Sequence, residues 1–154
     1  MIDDIVRFLM HRFWAEVGEI AVFLVCGYAL IAGTWRERFG GAIYLVAYVI
    51  PWVFAAISIR SVGLYFLAAD VLLLPGFFTI NRNSPQPWTR WALGSQVLSV
   101  ALDIARLIYD SGRFDPFYII VQAILGYVVL IALLTGTIAA HRLNHRKNVT
   151  TGGT

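Results

Sequence analysis

The chain has 154 residues, of which 59% are hydrophobic and 14% charged, with a net charge of +3 and a mean hydropathy of +0.73. An ordinary soluble domain reaches about 45–50% apolar residues with glycine included and carries roughly 25% charged ones, and a chain this short has too little interior to hide the excess. The composition therefore excludes a soluble globular domain, a disordered tail and a nucleic-acid module, and it predicts an integral membrane protein.

Residues 1–16 read as an amphipathic segment. Ile2, Ile5, Val6, Leu9 and Phe13 recur at helical spacing, with Asp3, Asp4, Arg7, His11 and Arg12 mostly between them. Such a segment either lies in the membrane interface or extends the first span. No compact apolar stretch precedes residue 17, and no A-x-A pattern closes the first apolar run. That run is expected to remain in the mature protein.

A crossing helix needs about 20 mostly apolar residues. Five runs meet that need, predicting an all-α, polytopic transmembrane bundle. The first covers 17–34 and ends in the charged turn WRERF; the second covers 41–59 and the third 61–80, with a tight hairpin at Arg60 between them. The fourth, 91–109, follows NRNSPQPWTR, whose two prolines, Asn and Ser mark a loop. The fifth, 116–140, has proline in its first turn, where the missing N–H costs nothing. A tail at 141–154 is basic and then Gly/Thr-rich. Pro51 and Pro75 are expected to kink spans two and three.

Lys and Arg set the orientation. Arg7, Arg12, Arg60 and Arg113 fall on one side, whereas Arg36, Arg38, Arg82, Arg90, Arg142, Arg146 and Lys147 fall on the other. The richer side is the cytoplasmic one, which places the N-terminus outside and the C-terminus inside. Trp14, Trp35, Trp88 and Trp91 lie near span ends as an aromatic belt would, and Trp52 reads as a core filler. Gly126 and Gly136 on span five, and Gly27, Ala32 and Gly33 on span one, are candidates for close helix approach.

Span four differs from the rest. Gln96, Ser99, Asp103, Arg106 and Asp110 share one helical face, against apolar Leu93, Val97, Val100, Leu107 and Ile108. An ionisable residue near the bilayer centre costs at least ~2.5–3.5 kcal/mol, so such a face points into a bundle or a wet cavity. At ~1.5 Å per residue, Asp103 and Gln122 lie roughly 9 Å below the outer span ends, Arg106 about 4–5 Å, and Asp70 about 13–14 Å. These groups are therefore expected to meet, with Arg106 bridging to Asp103 or reaching Asp70, and with span four near the centre of the bundle. The cluster Asp70, Gln96, Asp103, Arg106 and Gln122 reads either as a structural clamp or as an ion path in which Asp70 and Asp103 titrate.

Other chemistry is sparse. His141 and His145 stand at i, i+4, the spacing of two metal ligands on a helix, but the flanking Arg142, Arg146 and Lys147 repel a cation. Cys26 stands alone, so neither a disulfide framework nor a four-cysteine metal site is available. No nucleophile elbow, metalloprotease helix, phosphate loop or dinucleotide fingerprint occurs. The expectation is a chain without catalytic residues, cofactor or metal.

From about Tyr28 to His145 the chain resembles the small five-span inner-membrane proteins of alphaproteobacteria. The similar stretches are GTWRERFGGAIYL, AADVLLL with Asp70, W-x-x-W-A-x-x-S-Q-V-L-S-V with Trp88, Trp91 and Gln96, and Y-V-V-L-x-x-L-L-T-G-T with Tyr127, Gly136 and Thr137. Members commonly carry histidine where this chain has Asp103. The resemblance implies the five-span topology and no particular activity. The expected function is that of an accessory or assembly component of the bacterial inner membrane, acting through helix packing with itself or another membrane protein; the alternative is a small proton- or ion-coupled carrier or channel. The expected surroundings are the lipid bilayer, with no nucleic acid.

Overall fold

Capping chemistry decides where the helices begin. The computed structural model describes residues 2–56, 62–83, 86–109 and 116–151, and side chains among these except at 2–16, 52, 55–56, 62–65, 116 and 144–151. The Arg60 hairpin, Asp110, and the side chains of Trp14, Trp52 and His145 lie outside that description, as does the face presented by 2–16. Among the described residues five helices follow one another: α1 (Ile2–Ala32), α2 (Trp35–Ala56), α3 (Val62–Asn83), α4 (Pro87–Tyr109) and α5 (Pro116–Thr151). Among the described residues there is no strand, so the chain is all-α.

Two helix starts correct the sequence reading. The stretch WRERF is not a turn but the opening of α2, which begins at Trp35 rather than 41. The backbone N–H of Thr34 donates to Glu37 Oε2 (2.9 Å) and its hydroxyl donates to the same oxygen, half of a capping box that satisfies a helix-end donor. Likewise α4 begins at Pro87, ahead of the expected 91. The Gln86 N–H donates to Thr89 Oγ1 (3.3 Å), and proline occupies the first helical position. Hydropathy mistook both charged or proline-bearing openings for loop. At the chain ends, 2–16 is continuous with the first apolar run in α1, and α5 carries the basic stretch as helix to Thr151.

The helices form a ring in chain order: α1 packs on α2 and α5, α2 on α3, α3 on α4, and α4 on α5, with a lesser contact between α2 and α5 across it. Among the described residues the backbone of α4 comes within 8 Å of neither α1 nor α2, and its Trp88 ring reaches toward Gly40 of α2. This helix is a wall of the ring with its polar face turned in, not a central helix. The apolar core fills the end where α2 and α4 start, around the fully buried Cys26, Ala29, Phe77, Ile80, Ala92 and Leu133. Trp88 is buried there, against its expected place in an aromatic belt. A Cβ on Gly136 would stand 2.5–2.7 Å from its ring, so glycine is what admits the indole. Gly126 faces the Tyr44 hydroxyl, whereas a side chain at Gly27 would meet nothing, so Gly27 makes no close approach.

Large apolar side chains face outward: Ile31 is 81% exposed, Ile108 72% and Leu24 67%. Among the described residues two stretches, Pro87–Tyr109 and Phe117–Leu143, are long and apolar enough to cross a membrane, and Val17–Ala32 is a shorter apolar helix.

Candidate functional site

The polar face of α4 looks into the ring. Gln96, Ser99 and Asp103 are buried on it, Asp103 to 2% exposure, while Val97, Leu98, Ile104, Leu107 and Ile108 lie on the outside. Helical periodicity alone separates the two sets. From α3, Asp70 reaches the same space, and from α5 Gln122 and Tyr118 do.

Gln122 is the joint. Its Nε2 donates to Asp70 Oδ2 (2.8 Å) and to Asp103 Oδ1 (3.3 Å), and its Oε1 accepts from Ser99 Oγ (3.2 Å). Because both carboxylates reach one nitrogen at 2.8 and 3.3 Å, those two oxygens stand no more than about 6 Å apart. Gln96 Nε2 donates to the backbone carbonyl of Asp70 (3.2 Å), tying α4 to α3 a second time. The Tyr118 hydroxyl donates to Asp103 Oδ1, and the Arg106 guanidinium carbon lies 4.4 Å from the Tyr118 ring centroid, a cation–π distance. Asp103 Oδ2 is buried without a hydrogen-bond partner among the described residues.

All five residues singled out in the sequence thus lie on α3, α4 and α5 around one point. Four are joined through Gln122 or the Asp70 backbone, and Arg106 enters through the ring of Tyr118. Tyr118 itself escaped the sequence reading. Its signal was present, because Tyr118, Gln122 and Gly126 recur every four residues on one face of α5.

Beside the cluster lies a cavity of about 610 Å³ between α2, α3, α4 and α5. Asp70, Gln96, Ser99, Arg106, Tyr118 and Gln122 form its polar side. Tyr44, Tyr48, Phe66 and Leu73 stand among its apolar walls. The Tyr44 hydroxyl donates to the Gly126 carbonyl (3.3 Å), bridging α2 to α5. A second buried acid, Glu37, belongs to the opposite end and to the α2 cap; its Oε1 is without a partner among the described residues. Among the described residues no three His, Cys, Asp or Glu come together as a metal site would require. His141 instead stands 6.5 Å, ring to ring, from Tyr28.

No protein-family model, curated protein or solved structure matches the chain.

Proposed function

We propose that the chain is a non-catalytic multi-pass protein of the bacterial inner membrane, with its five helices as spans, its N-terminus periplasmic and its C-terminus cytoplasmic. In this reading it is an accessory or assembly component that meets lipid, a second copy or another membrane protein through its outer faces. The observation that carries it is the inverted distribution of side chains. Leu24, Ile31, Trp91 and Ile108 face out, while Gln96, Ser99 and Asp103 are buried within. In water that arrangement would forgo the burial that stabilises a fold; in a bilayer it keeps these polar side chains inside the protein and away from lipid. The polar cluster then acts as a clamp, fixing the register of α3, α4 and α5 through the three hydrogen bonds of Gln122. The resemblance to five-span inner-membrane proteins supports the same topology.

Reporter fusions test it. A fusion after Thr154 is expected to read cytoplasmic, and one at Arg113 periplasmic. Both reading on one side would overturn the five-span topology.

A second reading rests on two observations, the cavity beside the cluster and the Oδ2 of Asp103, which has no partner among the described residues. A clamp needs neither. They favour a small proton- or ion-coupled carrier or channel in which Asp70 and Asp103 hold the moving charge. Proton flux through proteoliposomes, lost in Asp103→Asn while the protein stays folded, is its expected signature; unchanged flux in that variant would sink it.

A further inference from the structure

The cavity has a chemistry of its own. Its volume, about 610 Å³, lies in the range of pockets that enclose drug-sized molecules, which are mostly apolar with a few placed polar groups. The groups around Asp70 can be taken element by element: Tyr44 and Tyr48 from α2, Gln96, Ser99, Asp103 and Arg106 from α4, and Tyr118 and Gln122 from α5. Among these described groups two are carboxylates and one is a cation. With both carboxylates ionised, a cluster so composed is one positive charge short, a deficit that a proton or a bound cation fills, since an uncompensated buried charge is costly.

The missing charge has a place to go. Asp70 lines the cavity itself, whereas Asp103 stands behind Gln122 and Tyr118. The rings of Tyr44 and Tyr48 on α2 and of Phe66, one turn before Asp70 on α3, line the same cavity and offer the aromatic surfaces that attract organic cations. A bare metal ion is disfavoured, because no third acidic, histidine or cysteine ligand joins the two carboxylates among the described residues. An anion would meet Arg106, but also two carboxylates. We propose that the cavity binds a lipophilic organic monocation, its charge beside Asp70 and its apolar body against Tyr44, Tyr48, Phe66 and Leu73. This rests on the carrier reading only for the site, not for any flux.

The test uses the full chain purified in mild detergent, with tetraphenylphosphonium as the probe. Isothermal titration compares it with two molecules of similar shape, the anion tetraphenylborate and the neutral triphenylphosphine oxide. The phosphonium is expected to bind at least tenfold tighter than either. Asp70→Asn is expected to weaken it tenfold or more, and Ala47→Phe, which fills the cavity from α2 while leaving every charge, is expected to do the same. The charge series on the unaltered protein stands even where a variant fails to fold. Equal or tighter binding of the borate or the neutral compound, undetectable phosphonium binding, or unchanged affinity in folded Asp70→Asn would each overturn the proposal. Liposome assays keep the two ideas apart. Phosphonium binding without proton flux removes the carrier alone, whereas flux that depends on Asp103 without phosphonium binding removes the ligand alone.

Discussion

Replacing Gln122 by leucine probes the clamp with the least disturbance of shape. Leucine occupies nearly the same volume, so the change deletes hydrogen bonds without opening a void. Three are lost, at 2.8, 3.3 and 3.2 Å, linking α5 to Asp70 on α3 and to Asp103 and Ser99 on α4. Hydrogen bonds between helices in membrane proteins average about 0.6 kcal/mol and reach about 1.7 kcal/mol, so the three together are worth about 2 kcal/mol. Two carboxylates also lose the amide they share, and a buried acceptor left without its donor costs roughly 1–3 kcal/mol. A loss of about 3–5 kcal/mol is therefore expected from these two terms together. Reversible unfolding in mixed micelles, titrated with sodium dodecyl sulfate and followed by far-ultraviolet circular dichroism, measures it. Ile120→Leu on the exposed side of the same helix is the control, expected within about 0.5 kcal/mol of the parent as surface changes usually are. The clamp also predicts non-additivity: Gln122→Leu combined with Asp70→Asn should cost less than their separate losses together. A Gln122→Leu loss no greater than that of the control would refute the reasoning.

Other residues give sharper local outcomes. Asp103→Asn is expected to lower the thermal midpoint, and adding Arg106→Gln to restore part of it, because the double change removes both charges at once; equal midpoints for single and double variants would count against any coupling. Gly136→Ala sets a methyl 2.5–2.7 Å from the Trp88 ring and is expected to cost about 1–3 kcal/mol by overpacking, with a change in tryptophan fluorescence, whereas Gly27→Ala, facing open space, should be neutral or stabilising by up to about 1 kcal/mol. Thr34→Ala removes a donor to Glu37 at the start of α2 and is expected to cost about 0.5–2 kcal/mol as cap losses do, read in the same micellar titration.

The sequence carried the helix count because bilayer-length apolar runs are coarse signals. It misplaced helix starts at 35 and 87 for a reason that hydropathy cannot see. Glu37 and Thr89 are polar, yet both are fully buried, and each engages the residue three positions before it at a helix start. The convergence of Asp70, Asp103 and Gln122 was legible from depth along the helices, since a rise of ~1.5 Å per residue fixes which levels meet. Arg106 stands shallower than Asp70, and one of its partners is the Tyr118 ring, from α5. Its identity depends on how α4 and α5 face each other, which spacing along one helix does not determine. The cavity was illegible for the same reason. It lies where α2, α3, α4 and α5 stand apart, and no residue of any one of these helices announces that distance.

That distance also explains why one end of the ring is solid and the other hollow. Where α2 and α4 begin, small residues let the helices close. A Cβ on Gly40 would touch Leu133, Trp88 and Ile80, and one on Gly41 would meet Ala29 and the Cys26 carbonyl. Toward the other end, α2 presents Tyr44, Tyr48 and Pro51 in place of glycine, and these line the cavity. Tyr44 marks the boundary, with its hydroxyl on the Gly126 carbonyl. Rings along α2 line the opened space, which lies against the polar face of α4. The polar cluster sits at that hollow end for a physical reason. Two carboxylates and a guanidinium need hydrogen-bond partners with long, adaptable side chains, and glycine-tight packing leaves no room for them. Placing a large residue at Ala47 or Ala69, both buried beside the cavity, should therefore fill the hollow without touching the hydrogen bonds of Gln122, whereas enlarging Gly136 should strain the solid end while leaving the cavity as it is.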